Sequence, residues 1–130
     1  MVLLAGCSLL PGRQFAFSVP AEGARPAVPG ILADTTGMVI KVDVVNDVAP
    51  PLDKGMMTSP ADPNAVVVHW VGGACDERIQ IDVLPEGGTT IQVATTTQPG
   101  PCELIGLSRA VRIEFAAPVD LSRTSVRFTP

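Results

Sequence analysis

Residues 78–97 read Arg-Ile-Gln-Ile-Asp-Val-Leu-Pro-Glu-Gly-Gly-Thr-Thr-Ile-Gln-Val-Ala-Thr-Thr-Thr. In the first half Ile79, Ile81 and Val83 alternate with Arg78, Gln80 and Asp82, the period of a strand with one buried and one wet face. In the second half β-branched residues gather around Ile91 and Val93, and their stiff side chains suit a pleated surface. Pro85-Glu86-Gly87-Gly88 lies between the halves and carries turn chemistry. The stretch predicts an antiparallel hairpin.

The same alternation recurs on either side of it. Residues 37–45 place Met38, Ile40, Val42 and Val44 on one face, against Lys41 and Asp43 on the other. Residues 65–71 put Val66, Val68 and Trp70 on one face, and the other carries Val67, His69 and Val71, so this strand is expected to be covered on both sides. Residues 109–115 set Val111, Ile113 and Phe115 against Arg112 and Glu114, and residues 124–129 alternate Val126 and Phe128 with Ser125 and Arg127. That makes six strands, and residues 15–19 and 30–33 raise the number to seven or eight. No apolar period of 3.6 residues persists for the length of a helix. Short strands, one polar face each, with Gly and Pro between them, predict an all-β antiparallel sandwich, and an immunoglobulin-like topology is among the arrangements compatible with it. Trp70 precedes both Cys75 and Cys102, however, whereas an immunoglobulin domain has its tryptophan between the two cysteines.

Composition narrows the function. A chain of 130 residues has the size of one domain, with an apolar fraction of 46% to fill a core. Its net charge is −4 and its basic residues are scattered singly, which excludes the clustered Lys and Arg that a nucleic acid requires. There is one Trp, no Tyr and four Phe, and Trp70, Phe115 and Phe128 sit at inward positions of strands. Only Phe15 and Phe17 remain as exposed platforms, too few for a sugar-binding or single-strand-binding surface.

The N-terminus reads Met-Val-Leu-Leu-Ala-Gly-Cys-Ser. Leu4-Ala5-Gly6-Cys7 resembles the lipobox of bacterial lipoproteins, in which a peptidase cuts before the cysteine and the sulfur takes a diacylglycerol. Small Ala5 and Gly6 fit an extended backbone into a protease cleft, as before other export cleavage sites. The resemblance implies lipid attachment at Cys7, export, and anchoring to the outer face of a bacterial membrane. Residues 1–6 are then the end of a signal peptide. They carry no charge and are shorter than a complete one, so the rest of the peptide is expected upstream. Residues 7–29, rich in proline, read as a semi-rigid tether, and residues 30–130 as the folded domain. Gln14, Ala16 and Ser18 alternate with Phe15, Phe17 and Val19, which is the competing strand reading of part of that tether. No segment has the roughly 20 apolar residues that cross a membrane as a helix.

An exported protein meets an oxidising compartment, and with Cys7 lipidated an even pair remains, so Cys75 and Cys102 are expected to form a disulfide. It closes a loop of about 28 residues, for roughly 3.5 kcal/mol of stability. Zinc requires about four ligands, more than two cysteines and His69 provide. A redox dithiol favours Cys-x-x-Cys, which does not occur. A catalytic pairing of Cys75 with His69 is the one arrangement to weigh, and His69 within an apolar strand reads as structural. Asp76, Glu77, Asp82 and Glu103 are the carboxylates available for paired acid–base chemistry; Asp76 and Glu77 flank the expected disulfide near Glu103, but no EF-hand spacing organises that patch for calcium, and it reads as solvated. No catalytic residue, metal or cofactor is expected, and the chain reads as a non-enzyme.

The stretch from Trp70 to Asp76, its partner Cys102 and the arginine-bearing strand after it resemble a small β-sandwich domain that recurs in exported bacterial lipoproteins. The likeness spans residues 66–128 and implies the fold, with no activity attached. One long connection, residues 48–64, holds four prolines and the pair Met56-Met57. Methionines on a loop make adaptable contact surfaces, so Met56 and Met57 are the candidate interaction loop. The expected function is a membrane-anchored, non-catalytic binding module of the cell envelope, with membrane lipid through Cys7 and an envelope protein as partners. The alternative is a structural or accessory envelope component without a specific ligand.

Overall fold

The structure, a computed structural model, describes residues 12–21, 25–45, 54–59, 61–102 and 106–129. Cys7 and Glu103 lie outside the described residues. Nine strands lie within them: β1 (Arg13–Val19), β2 (Val28–Asp34), β3 (Val39–Val44), β4 (Gly55–Ser59), β5 (Asp62–Gly72), β6 (Asp76–Leu84), β7 (Thr89–Thr97), β8 (Leu107–Phe115) and β9 (Thr124–Thr129). They form a five-stranded sheet, β1-β2-β6-β7-β9, and a four-stranded sheet, β3-β8-β5-β4. The fold is the all-β sandwich expected, with a ninth strand.

The β6–β7 hairpin pairs Ile81 with Val93 and Val83 with Ile91, antiparallel as predicted. At its turn Gly87 and Gly88 both adopt positive φ, 60° and 98°, a region that L side chains rarely enter. Two further pairings, β2 with β6 and β7 with β9, are parallel. The larger sheet is therefore mixed, which separates it from the two antiparallel sheets of the immunoglobulin arrangement. The chain visits the other sheet between β2 and β6 and between β7 and β9, and such excursions let a strand return in the same direction.

Between the sheets lie Leu32, Ile79, Ile81, Val83, Ile91 and Val93 from one side and Val66, Val68, Trp70, Val111, Ile113 and Phe115 from the other. Burying each aliphatic side chain contributes about 1.5–3 kcal/mol. Phe15 and Phe17 also pack against this core, so neither serves as an exposed platform. That packing brings β1 into the sheet beside β2, so Arg13–Val19 takes the strand reading and not the tether reading.

Two local readings are corrected. Residues 37–45 were expected to bury Met38 and Ile40, yet these are 40% and 48% exposed while Val39 is fully buried. A register shift between Val39 and Lys41 breaks the alternation, so Val39 faces inward before the bulge and Val42 packs against the core after it. The second concerns residues 55–59, read as part of a loop. They form the edge strand β4, with Met56 opposite Val68 and Met57 opposite Val67. Successive strand residues face opposite ways, so Met56 packs against the core and Met57 lies on the outer face. The two methionines do not make one contact surface on a loop.

At the end of the molecule near β9, Asp120 caps the short 3-10 turn Leu121–Arg123 by accepting from the Ser122 backbone N–H at 3.0 Å and its hydroxyl at 2.6 Å. These bonds hold the Asp120 carboxyl below the usual aspartate range. The cap is therefore present at neutral pH and is lost only as pH falls through that lowered value.

Candidate functional site

At one end of the sandwich, β5 turns into β6 through Gly72-Gly73-Ala74-Cys75, crossing from one sheet to the other. Two side chains tie the sheets together there. Arg109, on β8, donates from Nη2 to Asp76 Oδ2 at 3.2 Å, and Asp76 sits at the start of β6. Both side chains are only 4% exposed. Asp76 Oδ2 also accepts from the Gly73 N–H at 3.0 Å, and Arg109 Nη2 reaches the Gly73 carbonyl at 3.3 Å. The ion pair thus clamps the turn as well as the two sheets. Cys75 bonds to Cys102, with Cα atoms 6.0 Å apart, within the usual span of a disulfide. This covalent link joins the β5–β6 turn to the segment between β7 and β8.

Gly72 makes room for the clamp. A Cβ at Gly72 would lie 2.4 Å from Asp76 Oδ2 and 2.7 Å from Arg109 Nε, both inside contact distance. At Gly73 the nearest atom, Asp76 Oδ1, would be 3.8 Å away. Gly72→Ala is therefore expected to displace the buried pair and lower the urea midpoint by the equivalent of about 2 kcal/mol or more, as for an unpaired buried polar group. Gly73→Ala should leave the midpoint within about 0.5 kcal/mol of the parent. Equal midpoints for the two variants would show that the clamp does not depend on the missing Cβ.

Beside this turn β5, β7 and β9 leave a cleft of about 600 Å³, lined by Trp70, Val93, Phe128, Thr95, Thr97 and Lys54, the residue before β4, among others. Its volume lies within the 300–1,000 Å³ typical of small-molecule sites. A hollow at the opposite end, beside Met38 and Phe115, measures about 240 Å³ and falls short of that range. Trp70 and Phe128 approach with ring centroids 6.4 Å apart and a 47° tilt. Lys54 Nζ stands 5.7 Å from the centre of the Phe128 ring, a cation–π distance. Thr95 and Thr97 project from β7 along the polar wall. The Trp70 indole N–H is buried without an acceptor among the described residues.

Of the residues singled out from the sequence, Cys75 and Cys102 are brought together as expected. Asp76 is committed to Arg109 and Gly73, whereas Glu77 beside it is exposed, so these neighbours do not converge on one site. Cys75 is in a disulfide and offers no thiolate to His69, which is buried in β5 with its ring over Gly55. Among the described residues no group of three or more His, Cys, Asp or Glu could hold a metal ion. No helix within them is long and apolar enough to cross a membrane. Lys54, Thr95 and Arg109 went unnoticed in the sequence. Lys54 precedes a strand that itself read as loop, and nothing local pairs Arg109 with Asp76 across 33 positions.

Compared with protein-family models, curated proteins and solved structures, the chain matches none.

Proposed function

We propose that this chain is a non-catalytic binding module of the bacterial cell envelope, exported, held to the membrane by lipid on Cys7, and binding its ligand in the cleft lined by β5, β7 and β9. The observation that carries the binding reading is the cleft itself: an apolar floor of Trp70, Val93 and Phe128 under a few polar side chains. Sites for small molecules have that make-up, with apolar walls for affinity and sparse polar groups for orientation. The disulfide suits an oxidising compartment, which supports export. The lipobox-like Leu4-Ala5-Gly6-Cys7 supports the anchor.

Anchoring is tested by intact mass and detergent-phase partition of the protein expressed in a bacterial host with its upstream codons. Cleavage before Cys7 with added diacylglycerol, lost in Cys7→Ala, is the expected result. A soluble product with an unmodified Cys7 would overturn the lipoprotein reading. Binding is tested separately through Trp70, the single tryptophan, whose emission reports directly on the cleft. Nile red should bind saturably and shift that emission, and Thr97→Phe, a bulkier side chain at an exposed position of the cleft wall, should weaken it several-fold. Binding unchanged by Thr97→Phe would remove the cleft from the proposal.

A further inference from the structure

We infer that the cleft takes a monomeric amphipathic anion, an acyl or aryl carboxylate whose apolar body lies on Trp70, Val93 and Phe128 and whose charged head meets Lys54. The inference rests on the binding role proposed above and adds the chemistry of the ligand. Among the described residues, two charged side chains line the cleft, Lys54 and Asp76. Asp76 is already neutralised by Arg109 at 3.2 Å. Lys54 makes no ion pair among the described residues, and its one close partner there is the face of Phe128. Among the described residues, one cation without a carboxylate partner therefore stands over an apolar floor, in a chain whose net charge is −4. An ammonium group on a ring face keeps most of its attraction for an anion, because the ring quadrupole supplies only about 0.5–1 kcal/mol at an exposed site.

The rest of the lining fits the same ligand. The hydroxyls of Thr95 and Thr97 can donate to carboxylate oxygens, and neither carries a charge that would repel them. A cationic ligand would meet Lys54 with no free carboxylate among the described residues to offset it. A ligand polar throughout would leave the faces of Trp70 and Phe128 without apolar contact. The concave lining drawn from both sheets and the volume of about 600 Å³ suit one small molecule better than a bilayer surface.

The test follows Trp70 emission during titration with decanoate, decan-1-ol and decyltrimethylammonium, each below its aggregation concentration. Decanoate should bind saturably and at least tenfold more tightly than decyltrimethylammonium, with the preference shrinking as salt is raised. Lys54→Gln should remove the discrimination, and Lys54→Glu should reverse it. Lys54 is exposed, so neither substitution endangers the fold. Equal affinity for all three heads, blocked by Thr97→Phe, would overturn the anionic ligand while leaving the cleft as a binding site. No saturable binding of any of them would overturn both. Lys54-dependent adsorption of the Cys7→Ala protein to phosphatidylglycerol vesicles, without decanoate binding, would assign the cation to a membrane surface and overturn the monomeric ligand.

Discussion

Asp76→Ala is expected to cost the fold about 3–5 kcal/mol, the penalty for removing one partner of a buried ion pair. The pair qualifies because both side chains are 4% exposed and the carboxylate is the acceptor for Arg109 and for the Gly73 N–H. Removing it strands a guanidinium in the interior, and Arg109 Nε is already buried there without an acceptor among the described residues. Set against a typical domain stability of 5–15 kcal/mol, the loss takes a large fraction of the whole. Arg109→Met combined with Asp76→Leu should recover most of it, since an apolar replacement of both charges is often neutral or stabilising. Urea unfolding of the single and double variants decides the matter. A single variant within about 1 kcal/mol of the parent would mean that water reaches Arg109 and the pair is not a clamp.

Reduction of Cys75–Cys102, or Cys102→Ala with Cys75→Ala, is expected to cost about 3.5 kcal/mol, from the conformational freedom returned to the unfolded chain. The two cysteines are 27 positions apart, and the closed loop contains all of β6 and β7. Cys75 also adjoins Asp76, so the covalent link and the ion pair hold the same turn. Neighbouring constraints of this kind do not add. The triple variant that also lacks Asp76 should therefore lose less than the sum of the separate losses once the turn is free. A double-mutant cycle built on unfolding in matched reducing and oxidising buffer measures the coupling. Strict additivity would show that the turn is restrained independently by each.

Loss of either restraint should also reach the cleft. Gly72, Gly73 and Asp76 form part of its wall, and Trp70 stands two residues before the turn. A loosened turn would let this wall spread, and Trp70 emission would shift to the red at denaturant concentrations where the rest of the sandwich is still folded. Coincident transitions by Trp70 emission and by far-ultraviolet circular dichroism would mean that the turn unfolds only with the domain.

The strands themselves were legible from local order. Side chains of a strand alternate between faces, so Ile79, Ile81 and Val83 announce a buried face without reference to any other part of the chain. A turn of Pro85 to Gly88 likewise joins its own neighbours, and the β6–β7 hairpin was readable for that reason. Export and lipidation also rest on a local string, Leu4-Ala5-Gly6-Cys7, and remain part of the proposal. What tertiary structure decided was whatever depends on the partner. Strand β4 carries two adjacent methionines and no alternating pattern, and its place comes from pairing with β5. The bulge in β3 answers to its register against β8 and turns Met38 and Ile40 outward against their apolar character. Arg109 and Asp76 meet because β8 and β6, in different sheets, end on the same side of the core. The cleft draws its lining from β5 in one sheet and from β7 and β9 in the other. Alternation is a property of consecutive residues, whereas strand order, register and cross-sheet contacts are set by the free energy of packing distant segments together, which no short window of sequence contains.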